Sequence, residues 1–177
     1  RCVMGTEQRD PTPKELEEMK RLVGESMEAG AFGMSTGLVY PPGRYAKTGE
    51  IIELSKIVAK YGGIYASHIR GERETLVDAV KEAIEIGKTS EVPVQISHHP
   101  AKIGGWGKSV ETLRLIDEAR ARGVEVTCDM HSYIGGETSL SALLPPWAQE
   151  GGRKKIVERM KDKELRRKIR DDMIEEK

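Results

Sequence analysis

Short apolar runs rich in β-branched residues alternate along this chain with longer stretches in which apolar residues return every three or four positions, the periods of strand and helix. Leu16, Met19, Leu22, Val23 and Met27 share one face of a predicted first helix. Thr12 as cap, Pro13 in the first turn and Glu15 as capping-box partner open it, and Gly30 stops it. A second helix is expected over roughly Glu50 to Tyr61, carrying Ile51, Leu54, Ile57, Val58 and Tyr61 on one face. A third carries Leu76, Val77, Val80, Ala83 and Ile84. A fourth, capped by Ser109 and ended by Gly123, carries Val110, Leu113, Ile116 and Ala119.

Each helix is followed by a strand-like run: 31–38, 63–70, 93–99 and 124–130. The polar tips of these runs fall at Thr36, His68, His98 and Asp129, so the spacing stays close to the length of one strand-helix unit. One helix per strand favours parallel pairing, because a parallel crossover needs roughly a dozen or more residues. The fold class read from the pattern is α/β, a partial TIM-like (β/α) barrel of about four units over 1–138. The loop Tyr40 to Tyr45 contains Pro41, Pro42 and Gly43 and is expected to hold no regular structure. Beyond it all, 139–177 reads as a helical insertion: an apolar turn at Leu143 to Trp147, then two amphipathic helices broken near Lys161-Asp162-Lys163, with a charge run that is a solvated face.

Composition narrows the partners. Lysine plus arginine and aspartate plus glutamate are equal at 29 each among 177 residues, which gives no footprint for nucleic acid or an anionic membrane. No apolar run approaches a bilayer-spanning length, and a cytoplasmic protein is expected. Cys2 and Cys128 fit no Cys-x-x-Cys pattern, so neither a disulfide framework nor a zinc knuckle is indicated. The absence of asparagine and the 33% charged content suggest heat adaptation.

The chemistry concentrates at the strand tips, where β/α proteins place it. His68 and His98, at matching tips one repeat apart, are read as metal ligands with zinc as the cofactor. Zinc would suit hydrolysis of an amide. Arg70 and Glu72 either orient a substrate carboxylate and a ligand or form an ion pair at the loop mouth. His99, one position on from His98, should face away from the pocket. Asp129 is either a base or a holder of a loop or ligand, and Tyr133 and Thr138 are loop residues able to hydrogen-bond a substrate.

Six stretches together carry a family resemblance: Gly33 to Leu38, Tyr40 to Gly43, Tyr65 to Arg70, Val94 to His99, Trp106 to Lys108, and Ser139 to Trp147. From about Val3 to Trp147 the chain resembles the D-aminoacylases, N-acyl-D-amino-acid deacylases of the amidohydrolase superfamily. The resemblance implies a metal-dependent barrel joined to a small β-sandwich that hydrolyses N-acyl-D-amino acids. It makes His68 and His98 zinc ligands, helped by a cysteine from an earlier strand, with an early His-x-His pair beside a further metal position and a late aspartate as general base. No position here matches those further elements, and the context of Cys2 does not fit the ligand cysteine. No catalytic residue is therefore assigned, and the chain alone is expected to be inactive, the central part of such a barrel.

Two departures fall where the substrate carboxylate should be held. Pro100 stands where the family often has lysine, with Lys102 close by, and the usual Tyr-Pro-Tyr reads His131-Ser132-Tyr133. Arg70, Lys102 and Tyr133 are accordingly the candidate substrate-binding residues. The rival readings are an amidohydrolase acting on cyclic amides, of the dihydroorotase or hydantoinase kind, and a non-catalytic half barrel that forms a homodimer through its open sheet edges.

Overall fold

The computed structural model describes residues 2–99, 104–132 and 138–175. Four strands, β1 (Gly33–Gly37), β2 (Ile64–His68), β3 (Val94–Ile96) and β4 (Val126–Cys128), form one parallel sheet in sequence order. Helices α1 (Pro13–Glu28), α2 (Thr48–Lys60), α3 (Leu76–Ser90) and α4 (Ser109–Ala121) alternate with them. Neighbouring helices pack in the same order, as the wall of a β/α barrel requires. No helix among the described residues is long and apolar enough to cross a membrane.

Local sequence explains the elements. In α1 the Thr12 side chain accepts from the Glu15 N–H while Glu15 accepts from the Thr12 N–H, the reciprocal capping box expected there. Gly30, at φ +97°, makes the left-handed turn out of the helix. The start of α4 differs from expectation. Lys108 is its N-cap, without a side-chain cap hydrogen bond, Ser109 is the first helical residue, and Thr112 Oγ1 donates back to the carbonyls of that turn. Helix α3 runs past Gly87 to Ser90, because a glycine there lets α3 lie against Val94, whose Cγ2 a Cβ would meet at 2.5 Å. The proline-rich loop holds one 3-10 turn, Gly43–Tyr45, where no regular structure was expected.

Register sorts side chains into two faces. The rows Met34-Tyr65-Val94-Val126 and Thr36-Ser67-Ile96-Cys128 face the helices. There Tyr65, Val94, Ile96 and Val126 join Val58, Val80, Ala83, Ile86 and Ile116 in the core, each large side chain contributing about 1.5–3 kcal/mol of burial. The intervening row, Ser35-Ala66-Gln95-Thr127, points to the barrel interior and is small and polar. Strands β1 and β4 each have one paired edge among the described residues.

After the sheet come α5 (Pro146–Gln149), α6 (Gly152–Lys161) and α7 (Lys163–Glu175). Asp162 separates the last two, its Oδ1 accepting from the N–H groups of Glu164 and Leu165. Trp147 ties the group together: its Nε1 donates to Asp172 at 2.7 Å and Lys168 lies over its ring.

Candidate metal centre

The row that contains Ala66 continues to His68, so the alternation of β2 sends the imidazole to the inner rim. The β3 tip reaches the same place by a different device. Past Ile96 the chain bends, and His98 takes φ +38°, a left-handed conformation that histidine tolerates better than most residues. Asp129 holds that bend: its Oδ1 accepts the His98 N–H at 2.5 Å, its carbonyl accepts the His99 N–H at 2.7 Å, and its Oδ2 accepts from Gln95 Nε2.

The two tips then meet. His68 Nδ1 and His98 Nε2 lie 2.9 Å apart, with the rings edge to face. The turn after β2 brings in a third donor, Glu72, whose Oε1 is 3.3 Å from His68 Nε2 and whose side chain is only 9% exposed. One ligand atom from each of His68, Glu72 and His98 lies within 4.8 Å of the others. Two imidazoles and a carboxylate are a donor set that zinc takes in hydrolytic sites, so the residues present fit the metal.

The surroundings divide into supports and neighbours. His99 turns to the helix side, as expected, with Nε2 2.9 Å from Thr112 Oγ1, and burial holds its imidazole below its ordinary value. Tyr40 packs on His68 and His131 stacks on His98, both with ring centres 5.2 Å apart. Neither contact was foreseen. The only signal for either was that each residue sits in a loop directly after a strand tip. Burial raises the Cys128 thiol on the helix face, which works against thiolate formation.

Arg70 is held at the loop mouth by contacts within the chain. Its Nε and Nη2 grip the carboxylate of Glu82 at 2.9 Å each, while Nη1 and Nη2 donate to the carbonyls of Arg44 and Ala46 at 2.8 Å. A guanidinium has five N–H donors, and four contacts here commit it to fastening loops. Of the two alternatives weighed for Arg70 the structure shows the ion pair, but with Glu82. Lys102 and Tyr133 lie outside the described residues.

A parallel strand-helix wall with two histidines and a carboxylate meeting at its C-terminal rim defines a β/α-barrel segment with a candidate metal site. No protein-family model matches the sequence. The D-aminoacylase of Alcaligenes xylosoxydans xylosoxydans is 45% identical over 142 residues, 78% of this chain and 29% of that protein. The N-acyl-D-glutamate deacylase of Bordetella bronchiseptica, solved with zinc and a phosphonate mimic of the tetrahedral intermediate, superposes with a TM-score of 0.70. Its identity is 38%, over 74% of this chain and 28% of that one. A D-aminoacylase described as defining a novel subset of amidohydrolases gives the same TM-score at 41% identity, over 76% and 28%. The chain belongs to the D-aminoacylase family of the amidohydrolase superfamily, and it spans less than a third of the length of these relatives.

Proposed function

We propose that this chain forms part of the metal-binding wall of a zinc-dependent hydrolase that cleaves the amide of N-acyl-D-amino acids, with His68 and His98 as ligands. The observation that carries the reading is the meeting of these two imidazoles from adjacent strand tips, beside a carboxylate, in a fold whose relatives are D-aminoacylases and N-acyl-D-glutamate deacylases. When bound, zinc would polarise the substrate carbonyl and lower the pKa of water towards ~7.

The chain's own residues supply position. His68 presents a ring nitrogen from the inner face of β2, and Asp129 fixes the backbone that aims His98. Arg70 fastens the turn after β2 to the loop Arg44–Ala46 and to α3. Tyr40 packs against the His68 ring and His131 stacks on the His98 ring. Arg70, Lys102 and Tyr133 are the residues proposed to hold the substrate carboxylate.

Two measurements test this. Zinc content after exhaustive dialysis should be retained by the chain and lost from His98→Ala. On the longest natural polypeptide that carries this segment, N-acyl-D-amino acids should be hydrolysed faster than their L-enantiomers, and a chelator should stop the reaction. Preference for the L-series or for a cyclic amide would overturn the substrate class.

The open edges of β1 and β4 favour a second reading, a homodimer of the segment. Sedimentation at increasing concentration reads it directly, a monomer at all concentrations excluding it. The cytoplasmic expectation rests on the apolar-run lengths and the heat-adapted one on composition; a melting temperature below about 65 °C, the mesophile range, would count against heat adaptation.

A further inference from the structure

The ladder between β3 and β4 loses step where β3 delivers its histidine. Val94 donates its N–H to the Glu125 carbonyl at 2.8 Å, and the Ile96 carbonyl accepts the Asp129 N–H at 3.2 Å. Parallel ladder bonds recur evenly, at every second residue of a strand, so the Asp129 carbonyl is due the His98 N–H. The His99 N–H takes that place instead, at 2.7 Å, and the tip of β3 carries one residue more than its partner. This is a β-bulge, which re-aims a side chain. It leaves the His98 N–H outside the ladder at φ +38°, and Asp129 Oδ1 accepts it in place of the carbonyl.

The Asp129 carboxylate is itself held in rotation. An ionised carboxylate only accepts, so the Gln95 amide has to turn its NH2 end towards it. Gln95 Nε2 donates to Asp129 Oδ2 at 2.7 Å, and the amide oxygen accepts from Thr127 Oγ1 at 2.5 Å. Gln95 and Thr127 are register partners on the interior row, so the pairing that builds the wall also aligns the amide. A path of matched donors and acceptors thus runs from Thr127 through Gln95 and Asp129 to the His98 backbone, and the His98 ring ends 2.9 Å from that of His68.

We propose that Gln95 is a positioning residue for His98: its amide fixes the rotation of the Asp129 carboxylate, which holds the bulge that turns the imidazole towards His68. The consequence for zinc rests on the reading of His68 and His98 as ligands; the geometry does not.

The test compares the chain itself with Gln95→Met, which keeps the side-chain length and removes both hydrogen bonds, and with the double variant Gln95→Glu plus Asp129→Asn. In the double variant amide and carboxylate change places at equal length and equal net charge. The new amide can donate to the new carboxylate while its oxygen still accepts the His98 N–H. The readouts are the His98 amide-proton shift in the metal-free protein, zinc affinity by chelator competition, and a thermal melt as folding control. A proton bonded to a carboxylate stands at low field. In Gln95→Met it should move upfield and zinc affinity should fall about tenfold or more; the double variant should reverse both. A role in sheet stability alone would lower the melt without that pattern. If the His98 proton stays in place in Gln95→Met, or does not return in the double variant, Gln95 does not position His98, and unchanged zinc affinity in Gln95→Met overturns the proposal as well. If the chain itself binds no zinc, the ligand reading fails, and the amide proton alone decides on Gln95.

Discussion

Asp129 at the end of β4 accepts the backbone N–H of His98 at the end of β3, so one strand tip sets the conformation of the next. The same carboxylate takes the Gln95 amide, which binds it to the inner face of the sheet. Replacing Asp129 by Ala releases a positive-φ residue from its restraint. The expected loss is about 1–2 kcal/mol of stability and about tenfold in zinc affinity, read by denaturant melts and chelator competition. Unchanged affinity would show that His98 keeps its aim unaided.

Arg70→Ala should destabilise the chain by about 2 kcal/mol or more with no substrate present, because it breaks contacts among α3, the β2 turn and the loop Arg44–Ala46. Arg70→Lys should recover little, since an ammonium cannot reproduce the two-pronged grip on Glu82. A melt identical to that of the unaltered chain would show that these contacts add no stability.

Helices α1 and α2 are joined by Lys20 and Glu53 at 2.8 Å. The hydrogen bond from Lys20 first, then that from Lys56, holds the Glu53 carboxyl at about 2, against an ordinary 4.5. With the folded value depressed, the unfolded chain takes up the proton first. The contribution is thus complete above about pH 4.5 and is lost as pH falls from there through about 2. Glu53→Gln should flatten the acid limb of the stability profile over that window and leave pH 7 to 8 nearly parallel to the parent curve.

A Cβ on Gly33 would sit 2.0 Å from the carbonyl oxygen of Ile64, where only backbone can yield. Gly33→Ala should therefore cost about 1–3 kcal/mol and loosen the β1–β2 pairing, visible as faster amide exchange at Ile64, whose N–H bonds the Phe32 carbonyl. Protection equal to the parent's would refute this.

The repeat of strand and helix was legible because it is written in local periodicity: the capping box of α1, the left-handed Gly30 and the four polar tips need no distant partner. The convergence of His68 and His98 was legible for the same reason, since they lie at matching positions of successive units. The partners of Arg70 were not legible, because Glu82, Arg44 and Ala46 are brought to it by the packing of other units. The approach of Glu72 to His68 depends on how tightly Gly71 folds against Thr75, which no hydrophobic pattern records. The cap of α4 falls at Lys108, one residue before the Ser109 that the sequence offered, and it has no side-chain cap hydrogen bond.

The interior row Ser35-Ala66-Gln95-Thr127 carries its own thermodynamic signature. Thr127 Oγ1 already donates to Gln95 Oε1 across the strands, so this concave surface is solvated at little cost. Any partner that closed over it, whether more strands or a second copy, would cover hydroxyl and amide groups rather than oily area. Closure would then be enthalpic, governed by main-chain bonds at the free edges, and would register in calorimetry as an unusually small change in heat capacity.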